Sequence, residues 1–95
     1  MKLKYELMVI LKPLLPEDIR TGVLKKMEGI ITKHNGKVIS QDSWGKKHLA
    51  YPINKHKEGY YIVYKLELEG KQIKEIQTNI KLMNDILRVL LIKED

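Results

Sequence analysis

The feature that most constrains the fold is an alternation of side chains at the start of the sequence. One set of alternating positions between residues 2 and 12 is wholly apolar, and it comprises Leu3, Tyr5, Leu7, Val9 and Leu11. The intervening set is charged at its ends and apolar at Met8 and Ile10. Because successive side chains of a strand point to opposite faces, the pattern predicts a strand with one face in a core and a second face that is only partly polar.

A helical period follows this strand. Pro13 and Pro16 interrupt the strand because proline has no backbone donor, and the acidic residues 17 and 18 suit the positive end of a helix that starts near Pro16. The positions spaced for one helix face are Ile19, Val23, Met27, Ile30, Ile31 and His34. Asn35 and Gly36 then predict a left-handed turn that ends the helix.

The second half of the chain predicts a hairpin, a helix and a last strand. Residues 37–53 have the pattern of one long strand, in which Gly45 and Pro52 favour a bulge and a position at the sheet edge. Residues 54–59 predict a polar turn, and residues 60–69 alternate as a returning strand. A second helical period follows Gly70, and an almost wholly apolar strand is predicted at residues 86–93.

This order of elements predicts an α+β fold of the ferredoxin-like βαββαβ type. Two helices would cover one face of a four-stranded antiparallel sheet with the strand order 4-1-3-2, since crossovers are right-handed. The length of 95 residues and the lack of a glycine- or proline-rich linker predict a single domain over residues 1–95. The sheet residues predicted to face the helices are Leu7, Val9, Leu11, Leu49, Ile53, Ile62, Tyr64, Leu66, Val89 and Leu91.

The opposite, open face of the predicted sheet is also largely apolar. By alternation it carries Met8, Ile10, Tyr61, Val63, Leu90 and Ile92. An apolar patch of this extent is normally covered or used for binding, so we predict a contact surface for a partner protein. The predicted contact residues are Met8, Ile10, Tyr61, Val63 and Leu90. The alternative is an ordinary surface with scattered apolar side chains.

Positive charge is concentrated in the hairpin. The formal net charge is +6, and no acidic residue occurs between Asp42 and Glu58, where Lys46, Lys47, Lys55 and Lys57 occur. Such a segment is typical of a surface that binds a polyanion such as RNA, although a solvated hairpin accounts for lysines equally well. Trp44, beside the expected bulge, is predicted to anchor the edge strand on the core, with stacking on a base as the alternative.

The same segment carries a resemblance to a known family. The run Trp44-Gly45-Lys46-Lys47-His48-Leu49-Ala50-Tyr51-Pro52-Ile53, followed by Glu58-Gly59-Tyr60-Tyr61, resembles the signature of the sixth protein of the bacterial small ribosomal subunit, a family also found in organelles. Tyr5-Glu6, Pro13 and Ile86-Leu87-Arg88-Val89-Leu90 are similar to the family's other landmarks, over nearly the whole chain. The family pattern usually has arginine at the position of Lys47 and often a basic residue at that of His48. Many members also continue beyond the last strand, whereas this sequence ends at Asp95.

The resemblance implies a structural constituent of the small ribosomal subunit in the cytoplasm. Such a protein binds the central domain of the small-subunit (16S) ribosomal RNA together with the eighteenth small-subunit protein. The positions expected to contact RNA on this basis are Lys2, Lys46, Lys47, His48, Arg88 and Lys93. An ion pair of Arg88 with Glu6 is the structural alternative for that arginine.

Catalysis is weakly supported by the residues themselves. The sequence has no cysteine, its three histidines lack the spacing of a metal site, and its glycines do not form a phosphate-binding loop. An acylphosphatase-like hydrolase on the same fold would need Arg20 and Asn84 to converge on a phosphate, and a ligand-binding domain that dimerises through its sheet is a third possibility. We expect no enzyme activity, cofactor, metal, small-molecule substrate or membrane span.

Overall fold

The structure, a computed structural model, describes residues 2–53 and 55–94. Its elements in chain order are β1 (Lys2–Leu11), α1 (Glu17–Lys33), β2 (Lys37–Ile53), β3 (His56–Glu69), a short 3₁₀ turn (Gly70–Gln72), α2 (Ile73–Lys81) and β4 (Ile86–Lys93). The strands form one antiparallel sheet in the order β2-β3-β1-β4. This order is 4-1-3-2 counted from the other edge, so the predicted ferredoxin-like fold is confirmed.

The core lies between one face of the sheet and the two helices. Alternate residues of β1 and β3 face α1 and α2, which contribute one apolar stripe each. The buried residues of this cluster are Tyr5, Leu7, Val9, Leu11, Val23, Met27, Ile31, Ile62, Tyr64, Leu66, Leu68, Ile76, Ile80 and Val89. The predicted helix position Ile19 is an exception, because it lies near the start of α1 and is 46% exposed.

The predicted turn at the end of α1 is present, and Asn35 and Gly36 have different roles in it. Asn35 adopts the left-handed conformation, with φ of 62°. The Gly36 N–H then donates to the Ile31 carbonyl at 2.8 Å, which satisfies an acceptor at the helix end. Gly36 is needed for space, since a Cβ atom there would lie 2.7 Å from Ile31 Cγ2 and overlap Leu68.

Bulges in β2 overturn part of the predicted core. The pairing of β2 with β3 shifts between Val38 and Ser40 and again between Ser43 and Gly45, where Gly45 has φ of 80°. Each bulge inserts one residue and exchanges the faces of the side chains that follow it, so beyond Gly45 the even-numbered residues face the helix side again, as Val38 does. Leu49, predicted to face the helices, therefore lies on the open face. A further shift between His48 and Ile53 pairs Ile53, also predicted to face the helices, with His56. Both residues are only half-buried and do not belong to the core cluster.

The β2–β3 hairpin extends beyond the rest of the sheet. Pairing between β1 and β3 ends at Leu11 and Tyr60, whereas β2 and β3 remain paired through His48 and Glu58. We call this extension the hairpin arm (residues 46–53 and 55–59). The predicted turn at residues 54–59 is too long, because β3 already begins at His56. Lys55 has φ of 69°, and Asn54 lies outside the described residues.

Candidate nucleic-acid interface

The structure separates the six residues predicted to contact RNA into two groups. Lys46, Lys47 and His48 lie on the hairpin arm, and Arg88 of β4 pairs in register with Ile10, near the same end of the sheet. Lys2 and Lys93 lie at the opposite end, where they pair with Glu69 and Tyr5. At about 3.4 Å per strand residue, Ile10, the partner of Arg88, is roughly 27 Å from Lys2 along β1 and roughly 17 Å from Tyr5, the partner of Lys93. One compact phosphate cluster therefore cannot contact both groups.

Arg88 is connected to the hairpin arm across the open face. Its Nη1 donates a hydrogen bond to the Tyr51 hydroxyl, and its guanidinium carbon lies 5.8 Å from the centroid of the Tyr51 ring. Both side chains are exposed. Glu6 pairs in register with Ile92 rather than with Arg88, and no Arg88–Glu6 ion pair occurs within residues 2–53 and 55–94. Arg88 thus presents its guanidinium at the base of the arm.

Trp44 lies on the open face and is 43% exposed, so the prediction that it anchors β2 on the core is wrong. Its Nε1–H donates to Asp42 Oδ2 at 3.1 Å. Its ring lies at 9° to the ring of Tyr61, with 6.4 Å between the centroids. Lys47 Nζ is 4.9 Å from the centroid of the Trp44 ring. The bulge at Gly45 brings these three side chains together because it places Lys47 on the open face.

The helix side of the same end carries further positive charge. Arg20 of α1 lies over the Tyr60 ring, with its guanidinium carbon 4.2 Å from the centroid. Tyr60 pairs in register with Lys46 and accepts a hydrogen bond from Ser43 Oγ at 3.0 Å. Sequence reasoning missed Arg20 as part of this basic region, since only the packing of α1 on the sheet brings it near Tyr60.

Arg20 and Asn84 do not form the phosphate site that a hydrolase would need. Asn84 lines a surface cleft between α1 and the segment that precedes β4, together with Asp18 and Asp85. Arg20 does not line this cleft; it stacks on Tyr60 and points an Nη1–H at the Leu15 carbonyl, 3.5 Å away. The cleft is also lined by Lys26, but the two aspartates outnumber this one basic residue and disfavour a phosphate group.

The apolar part of the open face is less accessible than predicted. Met8, Ile10, Tyr61 and Leu90 line a shallow pocket with Arg88 at its edge. Ile10 and Val63 are only 7% and 6% exposed, because neighbouring strands flank both of them on this face. Leu90 and Ile92 on β4 are 45% and 52% exposed, so the accessible apolar surface lies mainly toward β4.

Comparison with known proteins matches this fold and its hairpin to one family. A family model described as ribosomal protein S6 matches residues 4–93. The chain belongs to the ribosomal protein S6 family. The small ribosomal subunit protein bS6 of Thermoanaerobacter pseudethanolicus is 36% identical over 96% of both chains, and that of Fusobacterium nucleatum subsp. nucleatum is 29% identical over 97% of this chain and 98% of its own. The crystal structure of 30S ribosomal protein S6 from Thermotoga maritima superposes with a TM-score of 0.91, at 26% identity, covering 99% of this chain and 89% of that one.

The predicted family and the predicted role as a ribosomal protein of the small subunit are therefore confirmed. Members of the S6 family are ribosomal structural proteins, which makes this chain a component of the ribosome in the cytoplasm rather than an enzyme. None of the helices formed by residues 2–53 and 55–94 combines the length and the apolar character that crossing a membrane requires.

Proposed function

We propose that this S6 family protein binds the central domain of the small-subunit (16S) ribosomal RNA together with the eighteenth small-subunit protein. The observation that carries the proposal is the arrangement of the open face. Lys47 of the hairpin arm and Arg88 lie at one end of that face, directly beside the apolar surface around Leu90, while Lys46 and His48 lie on the other face of the arm. RNA phosphates and a partner protein can therefore be contacted by one side of the molecule.

In this proposal Lys46, Lys47, His48 and Arg88 form the main RNA contact. Lysine and arginine bind phosphate oxygens without reading base identity, so they position the protein on folded RNA. Arg88 has the planar fork that can hold one phosphate by two hydrogen bonds, and Tyr51 holds that fork at the arm. Lys2 and Lys93, at the far end of the sheet, would contact a separate RNA segment.

The partner protein would pack on the apolar part of the open face. Leu90 supplies exposed apolar area, with Met8 and Tyr61 half-buried beside it. Ile10 and Val63 lie between them and support the surface rather than offering much contact area. Such an apolar centre with a charged rim is the usual composition of a protein–protein interface.

The RNA contact is tested by measuring binding to a central-domain ribosomal RNA fragment over a salt series, with the partner protein present. Removal of one phosphate contact by Arg88→Ala or Lys47→Ala should lower affinity and reduce the slope of log K against log salt by about 0.9. Arg88→Lys should keep the slope, because it keeps the charge, but should lose affinity with the bidentate geometry.

Lys74→Ala is the matched control, since Lys74 is an exposed lysine on α2, away from the open face. It should leave both affinity and slope unchanged. Parent-like slopes for both Arg88→Ala and Lys47→Ala would remove the arm and Arg88 from the RNA contact.

The protein contact is tested by placing a charge on the apolar surface. Leu90→Glu should abolish binding of the eighteenth protein while the free energy of unfolding of the isolated chain stays within about 0.5 kcal/mol of the parent. Leu82→Glu is the control, because Leu82 is 74% exposed after α2. Equal partner binding by Leu90→Glu and Leu82→Glu would refute this assignment of the open face.

A further inference from the structure

We infer that Trp44, Tyr61 and Lys47 form a binding site for one unpaired nucleobase of single-stranded RNA, whose phosphate is held by Lys47. The inference rests on the proposed function, because it assigns a specific ligand group to one part of the RNA-binding end. We call these three residues the aromatic platform. It lies at the β2–β3 side of the open face and shares Tyr61 with the surface assigned to the partner protein, whose most exposed residue, Leu90, lies on β4.

The geometry of the two rings suits a stacked base. The Trp44 and Tyr61 rings, on neighbouring strands, are stacked within 9° of parallel, so Tyr61 supports the indole, and Lys47 lies over the Trp44 ring where a base would stack. The hydrogen bond from Trp44 Nε1 to Asp42 Oδ2 holds the indole in this orientation before any ligand arrives. Aromatic side chains on the open face of a four-stranded sheet are a recurrent means of stacking unpaired RNA bases.

Lys47 supplies the group that distinguishes a nucleotide from an apolar side chain. Its ammonium nitrogen lies 4.9 Å from the Trp44 ring centroid, where it contacts the ring as a cation. An exposed cation–π contact is weaker than the stacking of a base on an aromatic ring. An arriving base would displace the ammonium from the ring face, and the ammonium would then pair with the phosphate of the same nucleotide.

The charges around the platform set the direction in which the RNA strand leaves it. Asp42 is the acidic residue that touches Trp44, and it precedes the tryptophan on β2. Beyond Trp44 no acidic residue occurs before Glu58, and Arg88 lies at the base of the arm. Phosphates would therefore lie on the Lys47 and Arg88 side and avoid Asp42.

The test uses the intrinsic fluorescence of the full-length protein, because Trp44 is its only tryptophan. The protein is titrated with a short oligouridylate, with an RNA duplex of the same length, and with inorganic polyphosphate. Stacking of a base on the indole should quench the emission with oligouridylate and leave it unchanged with duplex or polyphosphate. Equal quenching by polyphosphate, or no quenching at saturating oligouridylate, would overturn the inference.

Variants measured by anisotropy of labelled oligouridylate give a second readout. Trp44→Leu should lower affinity about 5- to 150-fold, which corresponds to the loss of one base–aromatic stack, and Trp44→Phe should retain most of the affinity. Ile39→Ala is the control, since Ile39 is 46% exposed on the same edge strand and lies outside the platform. Parent-like affinity of Trp44→Leu would overturn the inference.

A third experiment distinguishes failure of this inference from failure of the proposed function. Binding of the central-domain RNA fragment is followed by anisotropy and by Trp44 emission in one titration, after the eighteenth protein has been added. Binding without quenching by the RNA contradicts the aromatic platform and leaves the proposed function intact. Quenching by the eighteenth protein alone would assign Trp44 to the protein contact and overturn the inference. If the central-domain RNA fragment does not bind, the proposed function is contradicted. The oligouridylate titration then tests the aromatic platform independently.

Discussion

The two faces of the sheet are formed by neighbouring residues of the same strands, yet they differ in how completely they are sealed. Leu7, Val9 and Leu11 on the helix side are fully buried, whereas on the open face Met8 is half-buried and Leu90 is 45% exposed. The helices exclude water from one side, and only neighbouring side chains and the hairpin arm shield the other. An apolar strand residue on the sealed face therefore contributes to stability, whereas on the open face only the residues toward β4, such as Leu90, are available for binding.

The largest expected difference between the faces is the effect of removing apolar volume. Leu7→Ala should lower the free energy of unfolding by about 2–5 kcal/mol, because it leaves a cavity in the sealed core. Met8→Ala, one residue away on the open face, should cost clearly less. Urea unfolding of both variants measures the difference. Equal losses would show that the two faces are sealed to the same degree.

An introduced charge should affect stability differently at two positions of the open face. Val63→Glu should destabilise the protein by about 3–5 kcal/mol, since Val63 is 6% exposed and Asp42 lies next to it in the ladder. Leu90→Glu on the same face should change stability by no more than about 0.5 kcal/mol. Thermal unfolding distinguishes the two variants. A stable Val63→Glu protein would mean that this part of the face is open to water.

A smaller effect is expected at Gly59, which tests how the hairpin arm packs on the sheet, with Gly22 in α1 as the comparison. A Cβ atom at Gly59 would overlap Ile10 Cγ2 and lie 3.4 Å from Leu49 Cδ2, so Gly59→Ala should cost about 1–3 kcal/mol. Gly22 in α1 has no other atom within 4 Å of its would-be Cβ, so Gly22→Ala should stabilise the helix by about 0.5–1 kcal/mol. The two substitutions should shift the denaturant midpoint in opposite directions from that of the parent. A neutral Gly59→Ala variant would show that the arm moves away from Ile10 easily.

The smallest effect at neutral pH is expected at Tyr64 in the sealed core. The Tyr64 hydroxyl is buried without a hydrogen-bond partner in the described part of the chain. Tyr64→Phe should therefore be neutral or stabilising by about 1 kcal/mol near neutral pH. Urea unfolding near pH 7 measures this, and a loss of stability would indicate that the hydroxyl has a partner such as a bound water.

The same hydroxyl predicts a pH dependence at alkaline pH. Burial, and after it the negative charge of Glu28, raise the pKa of Tyr64 above its ordinary value of 10.0. Because the folded-state pKa is the higher one, the stabilising contribution of the neutral phenol is complete below about pH 10 and is lost as the pH rises further. Tyr64→Phe should lack this decline, whereas Tyr61→Phe, which retains Tyr64, should show it. An identical decline in the parent and in Tyr64→Phe would contradict the assignment.

Much of the fold could be predicted because it depends on local periodicity. The alternation of β1, the helical stripe at Val23, Met27 and Ile31, and the turn at Asn35 each follow from side chains close in sequence. The errors have a local cause too. The sequence predicts the bulge at Gly45 but neither the bulge between Val38 and Ser40 nor the shift between His48 and Ile53, so it assigns Leu49 to the wrong face and Ile53 to the core. One inserted residue exchanges the two faces of a strand.

The sequence by itself determined the element order, the edge position of β2 and the basic character of the hairpin, since composition and spacing suffice for these. Only the tertiary structure decided which of these side chains meet. Arg88 and Tyr51 are 37 positions apart, and Arg20 reaches Tyr60 only because α1 packs over the end of β3. Such contacts depend on bulges, strand register and helix packing, which set the direction of a side chain in space, and no local pattern contains that direction.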